Sequence, residues 1–358
     1  MTKEVIEGFN FEQSHGKERV RVARVWKNQE SGRYFVVEWR VSISLLSHCI
    51  NSYIHDDNSD IVATDTMKNT VYAKAKECSE ILSAENFAIE LAKHFTSFYK
   101  QVTTAIVNIV EKPWERINVD GQPHEHGFKL GSEKHTTEAI VKKSGELRLT
   151  SGIEGLSLLK TTKSGFEGFI RDKYTALPET RERMLATEVT AQWRYSYESL
   201  QSVPQKPLYF TEKYLDVKKV LIDTFFGPPN VGVYSPSVQS TLYQMAKATL
   251  NRVPDISSIQ LKMPNIHFLP ANISNKEGHI ANNFIVAPRL NKGRSCARGS
   301  HFVESEEGRC TQAYLKSEET VLGFEPMTSR SHRNQPYCSV EAHPLKFMRK
   351  YDVHATIT

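Results

Sequence analysis

Hydrophobic and polar residues alternate with a period of two over several long stretches of this 358-residue chain. VRVARVWK (20–27) and YFVVEWRVSISLL (34–46) read as strands, because successive side chains of an extended backbone face opposite sides of a sheet. The period then changes. In SAENFAIELAKHFTSFYK (83–100), Phe87, Leu91, Phe95 and Phe98 recur at helical spacing, with Ser83 placed to cap the first turn and Glu85 inside it. Strand patterning returns in TTAIVNIVEKPWERI (103–117) and HGFKLGSEKHTTEAIVKK (126–143).

The same order then repeats. ELRLTSGIEGLSLLKTT (146–162) and ATEVTAQWRYSYESL (186–200) read as strands. In the second, Val189, Ala191, Trp193 and Tyr195 alternate with Thr190, Gln192 and Arg194, the mark of a sheet with one buried and one wet face. Helices follow near 211–226 and 237–252, the latter opening in SPSVQ with a serine cap, and ISSIQLKMPNIHF (256–268) reads as a last strand. Two successive strand–strand–helix–helix–strand units predict an α+β fold built by tandem duplication, an antiparallel sheet with helices on one face. The first repeat is expected over 10–145 and the second over 146–280. Long antiparallel strands leave open edges, and that predicts oligomerisation.

Composition narrows the function class. Hydrophobic residues make up 39% and charged residues 24%, enough for one large domain or two ordinary ones with an apolar core. Lys and Arg number 46 against 41 Asp and Glu, and the resulting +5 is spread along the chain. Without a basic stripe, no nucleic-acid partner is expected. Five cysteines form no C-x-x-C pair, which argues against a disulfide framework or a zinc knuckle. MTKEVIEGFNFEQ carries acidic residues where a secretory signal needs an apolar run, and no segment approaches the roughly 20 apolar residues of a membrane span. A soluble, intracellular protein with no membrane partner is expected.

No G-x-G-x-x-G, P-loop or H-E-x-x-H motif is present, so no conventional cofactor box marks the chain. His124 and His126 in QPHEHGF share one side of a strand, and a solvent-facing polar edge is the favoured reading over a metal pair. The most informative segment is LSLLKTTKSGFEGFIRDKYTALPETRER (156–183), where an apolar run ends in Lys160 and is followed by Phe166, Phe169, Tyr174, Leu177 and Arg183. An aromatic face and a forked guanidinium from one segment suit a flat, polar, anionic heterocycle. Four shorter segments add polar side chains: Lys17 in SHGKERVRV (14–22), Thr64 and Asp65 in IVATDTMKNT (61–70), Val238 and Gln239 in SPSVQST (235–241), and Asn265 and His267 in MPNIHF (263–268). Singly, each has a bland reading: a solubilising lysine, a helix N-cap, a solvated glutamine, a satisfied strand histidine.

Together, in this order, these segments resemble the signature of uricase (urate oxidase) over roughly residues 10–280. The resemblance implies the tunnelling fold, in which the sheets of several subunits join into a barrel, and a homotetramer with active sites at subunit interfaces. It implies urate and dioxygen as substrates, no cofactor and no metal, and 5-hydroxyisourate and hydrogen peroxide as products. By the same resemblance, Phe166 stacks on the purine ring, while Arg183 grips one edge and Gln239 with the Val238 backbone N–H grips the other. Lys17, Thr64 and His267 form a proton relay, Asn265 stands near the oxygen site, and Thr64 and Asp65 come from across an interface. A peroxisomal address is the family expectation; the closing Ala-Thr-Ile-Thr is no receptor-read signal of that kind and points to cytoplasm. Residues 281–358 look unrelated to the family, with FIVA (284–287) as a substitute strand and the rest expected to be disordered. A second reading follows from that tail, a catalytically silent isoform serving only as a subunit. A third, a purine- or pterin-binding enzyme of the same architecture, is disfavoured because Gln239 and Arg183 suit urate's oxygens.

Overall fold

The computed structural model of the chain describes residues 13–28, 32–78, 82–206 and 208–268, with further backbone strand segments at both ends. After a short hairpin of β1 (Glu4–Ile6) and β2 (Phe9–Phe11), the first half runs β3 (His15–Lys27), β4 (Tyr34–Ser47), α1 (Asn51–Ile54), α2 (Thr64–Glu77), α3 (Ala84–Phe98) and β5 (Val102–Glu111). A hairpin of β6 (Trp114–Val119) and β7 (Gln122–Leu130) precedes β8 (Lys134–Lys142). The second half runs β9 (Leu147–Lys160), β10 (Leu185–Tyr195), α4 (Tyr209–Phe226), α5 (Val238–Arg252) and β11 (Ile256–Pro270). The short pair β12 (Ser274–Asn275) and β13 (Gly278–His279) follows, then β14 (Val286–Arg289) and β15 (Cys310–Tyr314).

One antiparallel sheet carries the molecule, in the order β14-β11-β10-β9-β8-β5-β4-β3, with β15 also pairing with β11. Each half supplies four strands in the same meander, with two long helices inserted between its second and third strands, and the halves join at β8–β9. The duplication expected from the pattern is therefore present in the sheet itself. In β10, Val189, Ala191, Trp193 and Tyr195 are buried against the helices, while Gln192 and Arg194 are exposed on the open face. Ser83 caps α3 by accepting from Asn86 N–H, and Phe87, Leu91 and Phe95 of that helix are fully buried. Phe87 stacks on Trp39 of β4 at 4.6 Å. Each such side chain taken out of water contributes about 2 kcal/mol.

The structure departs from the pattern in five places. The stretch 103–117 divides at Pro113, which has no N–H for the ladder, and 126–143 divides around Gly131. The resulting β6–β7 ribbon stands apart from the main sheet, with the Arg116 guanidinium 4.7 Å over Phe128 and donating to the His124 and Glu125 carbonyls. Helix α2 begins after Ala63 with no side-chain cap bond, so Thr64 and Asp65 lie in its first turn and do not cap it. The added strand after β11 lies at Val286–Arg289, overlapping the second half of FIVA and shifted two residues onward, and pairs with His267–Pro270. A further strand, β15, pairs with Gln260–Pro264. The other residues expected to form the divergent tail lie outside the described residues.

Candidate active site

The sequence-predicted residues gather at two places, one in each half. In the first, Lys17 lies on β3 beside a bulge, where the pairing with β4 shifts between Lys17 and Val20 and Arg19 takes φ 58°. The neighbouring Gly16 leaves no room for a side chain, since a Cβ there would stand 2.0 Å from the Ile43 carbonyl oxygen. Buried His15 holds the segment before α2 with a 3.2 Å contact between Nε2 and the Val62 carbonyl, and burial pushes its pKa down. This brings the exposed α2 N-terminus, with Thr64 and Asp65, to the start of β3. Asp65 accepts from Lys68 and from Asn69 (2.8 Å), and those contacts with the nearby Lys17 charge hold its carboxyl below the usual range.

The second place is built from the ends of β9, β10 and β11, the α5 N-terminus and the loop 161–184. Phe166 N–H donates to Thr180 (2.7 Å) and Thr180 N–H donates back (3.1 Å), closing that loop as a hairpin. Arg183 N–H donates to the Ser164 carbonyl (2.9 Å), and Ser164 Oγ donates to the Arg183 carbonyl (2.7 Å). Gly165 N–H donates to Ser235 (2.9 Å) and Ser235 N–H to Lys163 (2.8 Å), which ties the same loop to the segment entering α5. Two residues later Ser237 caps α5 by accepting from Ser240 N–H at 3.0 Å. Val238 and Gln239 therefore open a helix whose start is fastened to the loop that bears Phe166 and Arg183.

Helix α5, about 22 Å long at 1.5 Å per residue, is followed at once by β11 running back beneath it. At about 3.3 Å per residue, the strand reaches the helix N-terminus some seven residues along, near Met263 and Asn265. Asn265 and His267 share the strand face of buried Ile259, Leu261 and Met263, the side that carries α5. Asn265 pairs with Thr187 of β10, itself aligned with Leu158 of β9, so three strand ends converge there.

Arg183 brings a guanidinium to this corner. Its guanidinium carbon lies 5.5 Å from the Phe166 ring centre, and Phe166 in turn stacks on Phe169 at 4.8 Å. Arg183 Nε is buried with no hydrogen-bond partner, and among the described residues no carboxylate pairs with the group. Burial lowers its pKa, with the Tyr234 phenol opposing, and a guanidinium so placed stays a cation at neutral pH. Gln239 is exposed at the helix start. The arrangement offers an aromatic face, an unspent planar cation, a helix N-terminus and a free carboxamide to a flat anion.

Six strand steps separate β3 from β11, roughly 29 Å along the sheet at 4.8 Å per step. Hydrogen bonds fasten the segments bearing Phe166, Arg183, Val238 and Gln239 to one another, and the sheet order puts Asn265 and His267 on a strand of the same half, whereas Lys17, Thr64 and Asp65 belong to the other half. Sequence reasoning passed over Ser164, Ser235 and His15, whose roles lie in tertiary hydrogen bonds without any local signature. The exposed His124 and His126 rings stand 6.2 Å apart, and among the described residues no group of three or more His, Cys, Asp or Glu could hold a metal ion. Among those residues, no helix is long and apolar enough to cross a membrane.

Comparison with known proteins agrees with this fold. The uricase family profile matches residues 13–140 and 149–292, past the Ile280 at which the resemblance in sequence was placed. Uricase-2 isozyme 1 of Canavalia lineata is 82% identical over 280 residues, covering 78% of this chain and 91% of that one. The uricase of Arabidopsis thaliana is 71% identical over 271 residues, covering 76% and 88%. The crystal structure of the uricase from Arthrobacter globiformis superposes with a TM-score of 0.64 at 32% identity, covering 83% of this chain and 98% of that one. With its duplicated sheet, its arginine corner and these matches, the chain belongs to the uricase family.

Proposed function

We propose that this chain oxidises urate with dioxygen, without a cofactor, to 5-hydroxyisourate and hydrogen peroxide. The single observation that carries the reading is Arg183, a half-buried guanidinium with no anion among the described residues, over Phe166 and fastened to the start of α5. Urate is planar and readily loses a proton, so Arg183 grips one edge, Gln239 and the Val238 N–H the other, and Phe166 covers a face. Such fixation turns an encounter into a near-attack geometry. Urate surrenders two electrons to dioxygen, which takes up two protons to leave as hydrogen peroxide, while water adds its hydroxyl to the oxidised ring. Lys17, Thr64 and His267 relay the protons, and Asn265 holds dioxygen or water above the ring.

Because the two clusters stand at opposite ends of one sheet, the reading places each complete site between two copies of the chain, in a homotetramer. Thr64 and Asp65 of one copy then face urate held by its neighbour. A peroxisomal compartment belongs to the same reading and is tested by imaging the full chain.

The test is to follow urate absorbance and oxygen uptake with the full chain, with light scattering on the same sample. Urate-dependent uptake with equimolar peroxide from a tetramer is the expected result. A folded tetramer that leaves urate untouched would instead favour the silent-subunit reading, which no observation on the site supports.

A further inference from the structure

Lys160 ends β9 with only 8% of its surface exposed. Its ammonium donates to three acceptors: the Phe225 carbonyl at 3.1 Å, the Val233 carbonyl at 2.9 Å and Ser235 Oγ at 2.7 Å. It also lies 5.1 Å from the Phe225 ring centre. Among the described residues no carboxylate pairs with it, and burial pushes its pKa down to about 8. A buried lysine without a counter-ion is costly, and the three acceptors match its three protons. The acceptors lie at the end of α4, in the loop after it and at the approach to α5, so the ammonium binds together segments that no strand pairing unites.

The contact with Ser235 leads to the substrate corner. Ser235 also accepts from Thr241 Oγ1 of α5 at 2.8 Å, and its carbonyl receives Gly165 N–H, next to Phe166. On the strand side, Lys160 is paired in the sheet with Leu185, two residues beyond Arg183. Lys160 thus stands between the arginine and the carboxamide that the site needs at a set separation, with its own donors already spent on protein.

We infer that Lys160 is a positioning residue for urate: it fixes the start of α5, with Val238 and Gln239, relative to Phe166 and Arg183, and does not itself touch the substrate. The inference rests on the urate reading, and measuring urate binding without oxygen separates the two. If the chain binds urate anaerobically yet does not oxidise it, the oxidase reading falls while the test of Lys160 proceeds; if it binds no urate at all, both fall.

The experiment compares the full-length chain with Lys160→Met, Lys160→Arg and Ser235→Ala in anaerobic calorimetry, steady-state kinetics and thermal unfolding. Lys160→Met keeps the aliphatic volume and loses the donors. It should raise the urate Kd and KM by roughly tenfold or more, the scale of lost hydrogen bonds to a charged group, while kcat at saturating urate stays within about threefold. Lys160→Arg should recover part of the affinity. Ser235→Ala, which removes one acceptor, should raise Kd less, and it serves as the test should Lys160→Met fail to fold. Wild-type Kd in Lys160→Met, or in Ser235→Ala where that variant stands in, overturns the inference, as does a loss confined to melting temperature or active fraction.

Discussion

The guanidinium carbon of Arg183 lies 5.5 Å from the ring centre of Phe166, and both residues are held by one three-residue anchor. Ser164 clasps Arg183 through a reciprocal pair of bonds, and Phe166 sits two residues further on, locked to Thr180. The cation is therefore oriented by main-chain bonds and spends none of its own donors on a carboxylate among the described residues. Partial burial strengthens its pull on an anion relative to water.

Replacing Arg183 by Lys keeps the charge and removes the planar fork. The expected outcome is a fall in kcat/KM for urate of about 10- to 100-fold, the equivalent of one or two charged hydrogen bonds. The melting temperature should move little, because the guanidinium supports no ion pair among the described residues. Steady-state oxygen uptake beside calorimetry checks both; wild-type kcat/KM in Arg183→Lys would remove the arginine from the substrate grip.

A site divided between two protomers makes a prediction that no single-chain site shares. Lys17→Ala and Arg183→Ala should each be inactive alone. Co-expressed, they should form mixed assemblies in which about a quarter of the sites combine an intact Lys17 half with an intact Arg183 half, if assembly is random and symmetric. Activity recovered to that order, and absent when the separately purified variants are mixed without exchange, is the expected result. No recovery in confirmed mixed tetramers would place both clusters' work within one chain.

A buried ion pair sets a pH dependence of stability away from the site. Glu85 is wholly buried and accepts from His135 Nε2 at 2.8 Å and from Ser151 Oγ at 2.6 Å. Burial opposes both charges, yet the pairing prevails: His135 is raised above its ordinary 6.5, with the nearby Glu111 also contributing, and Glu85 is lowered below its ordinary 4.5. The raised histidine stabilises the fold fully below pH 6.5 and loses that contribution as pH climbs through its folded value. The depressed carboxylate contributes above pH 4.5 and loses it as pH falls through its folded value. Their joint contribution is thus greatest between these limits. His135→Gln should flatten the alkaline fall in melting temperature, and Glu85→Ala should cost about 3–5 kcal/mol by stranding a buried imidazolium. Superposable alkaline limbs for wild type and His135→Gln would remove the pair from this role.

The strands and helices were legible because their two periods are clean, and the duplicated order made the sheet legible as well. Pro113 broke a long strand that alternation alone ran through, since a pattern of side chains does not show where a backbone donor is missing. Helix α2 was signalled only by its T-D-T start and gave no bounds, because its buried Met67, Val71 and Ala75 are only three among fourteen residues. At the site, Phe166 and Arg183 were readable from one continuous segment, but the parts that aim them were not. Ser164, Ser235 and Lys160 act through bonds to residues up to 75 positions away, and such bonds leave no periodicity. Nor did the pattern place Lys17 and His267 near opposite ends of the sheet; only strand order does that.

Gly165 gives the sharpest local test of whether the loop's geometry matters. A Cβ there would stand 2.1 Å from the Tyr234 hydroxyl, 2.7 Å from the Thr180 carbonyl oxygen and 3.1 Å from the Arg181 Cα. The hydroxyl is the tip of a half-exposed side chain and can swing aside. The Thr180 oxygen cannot, because it is backbone and already accepts the Phe166 N–H at 2.7 Å. Gly165→Ala must therefore push the 180–183 segment away from 164–166 and separate Arg183 from Phe166. The expected result is a KM for urate raised by roughly tenfold or more with assembly intact, since only a few tenths of an ångström of misplacement is enough to weaken a preorganised grip. Adding Tyr234→Phe removes the nearest atom and leaves the backbone clash, so the double variant should recover little. If the double variant regains the wild-type KM, the obstruction was the tyrosine hydroxyl alone, and the hairpin between Phe166 and Thr180 does not set the distance that urate reads.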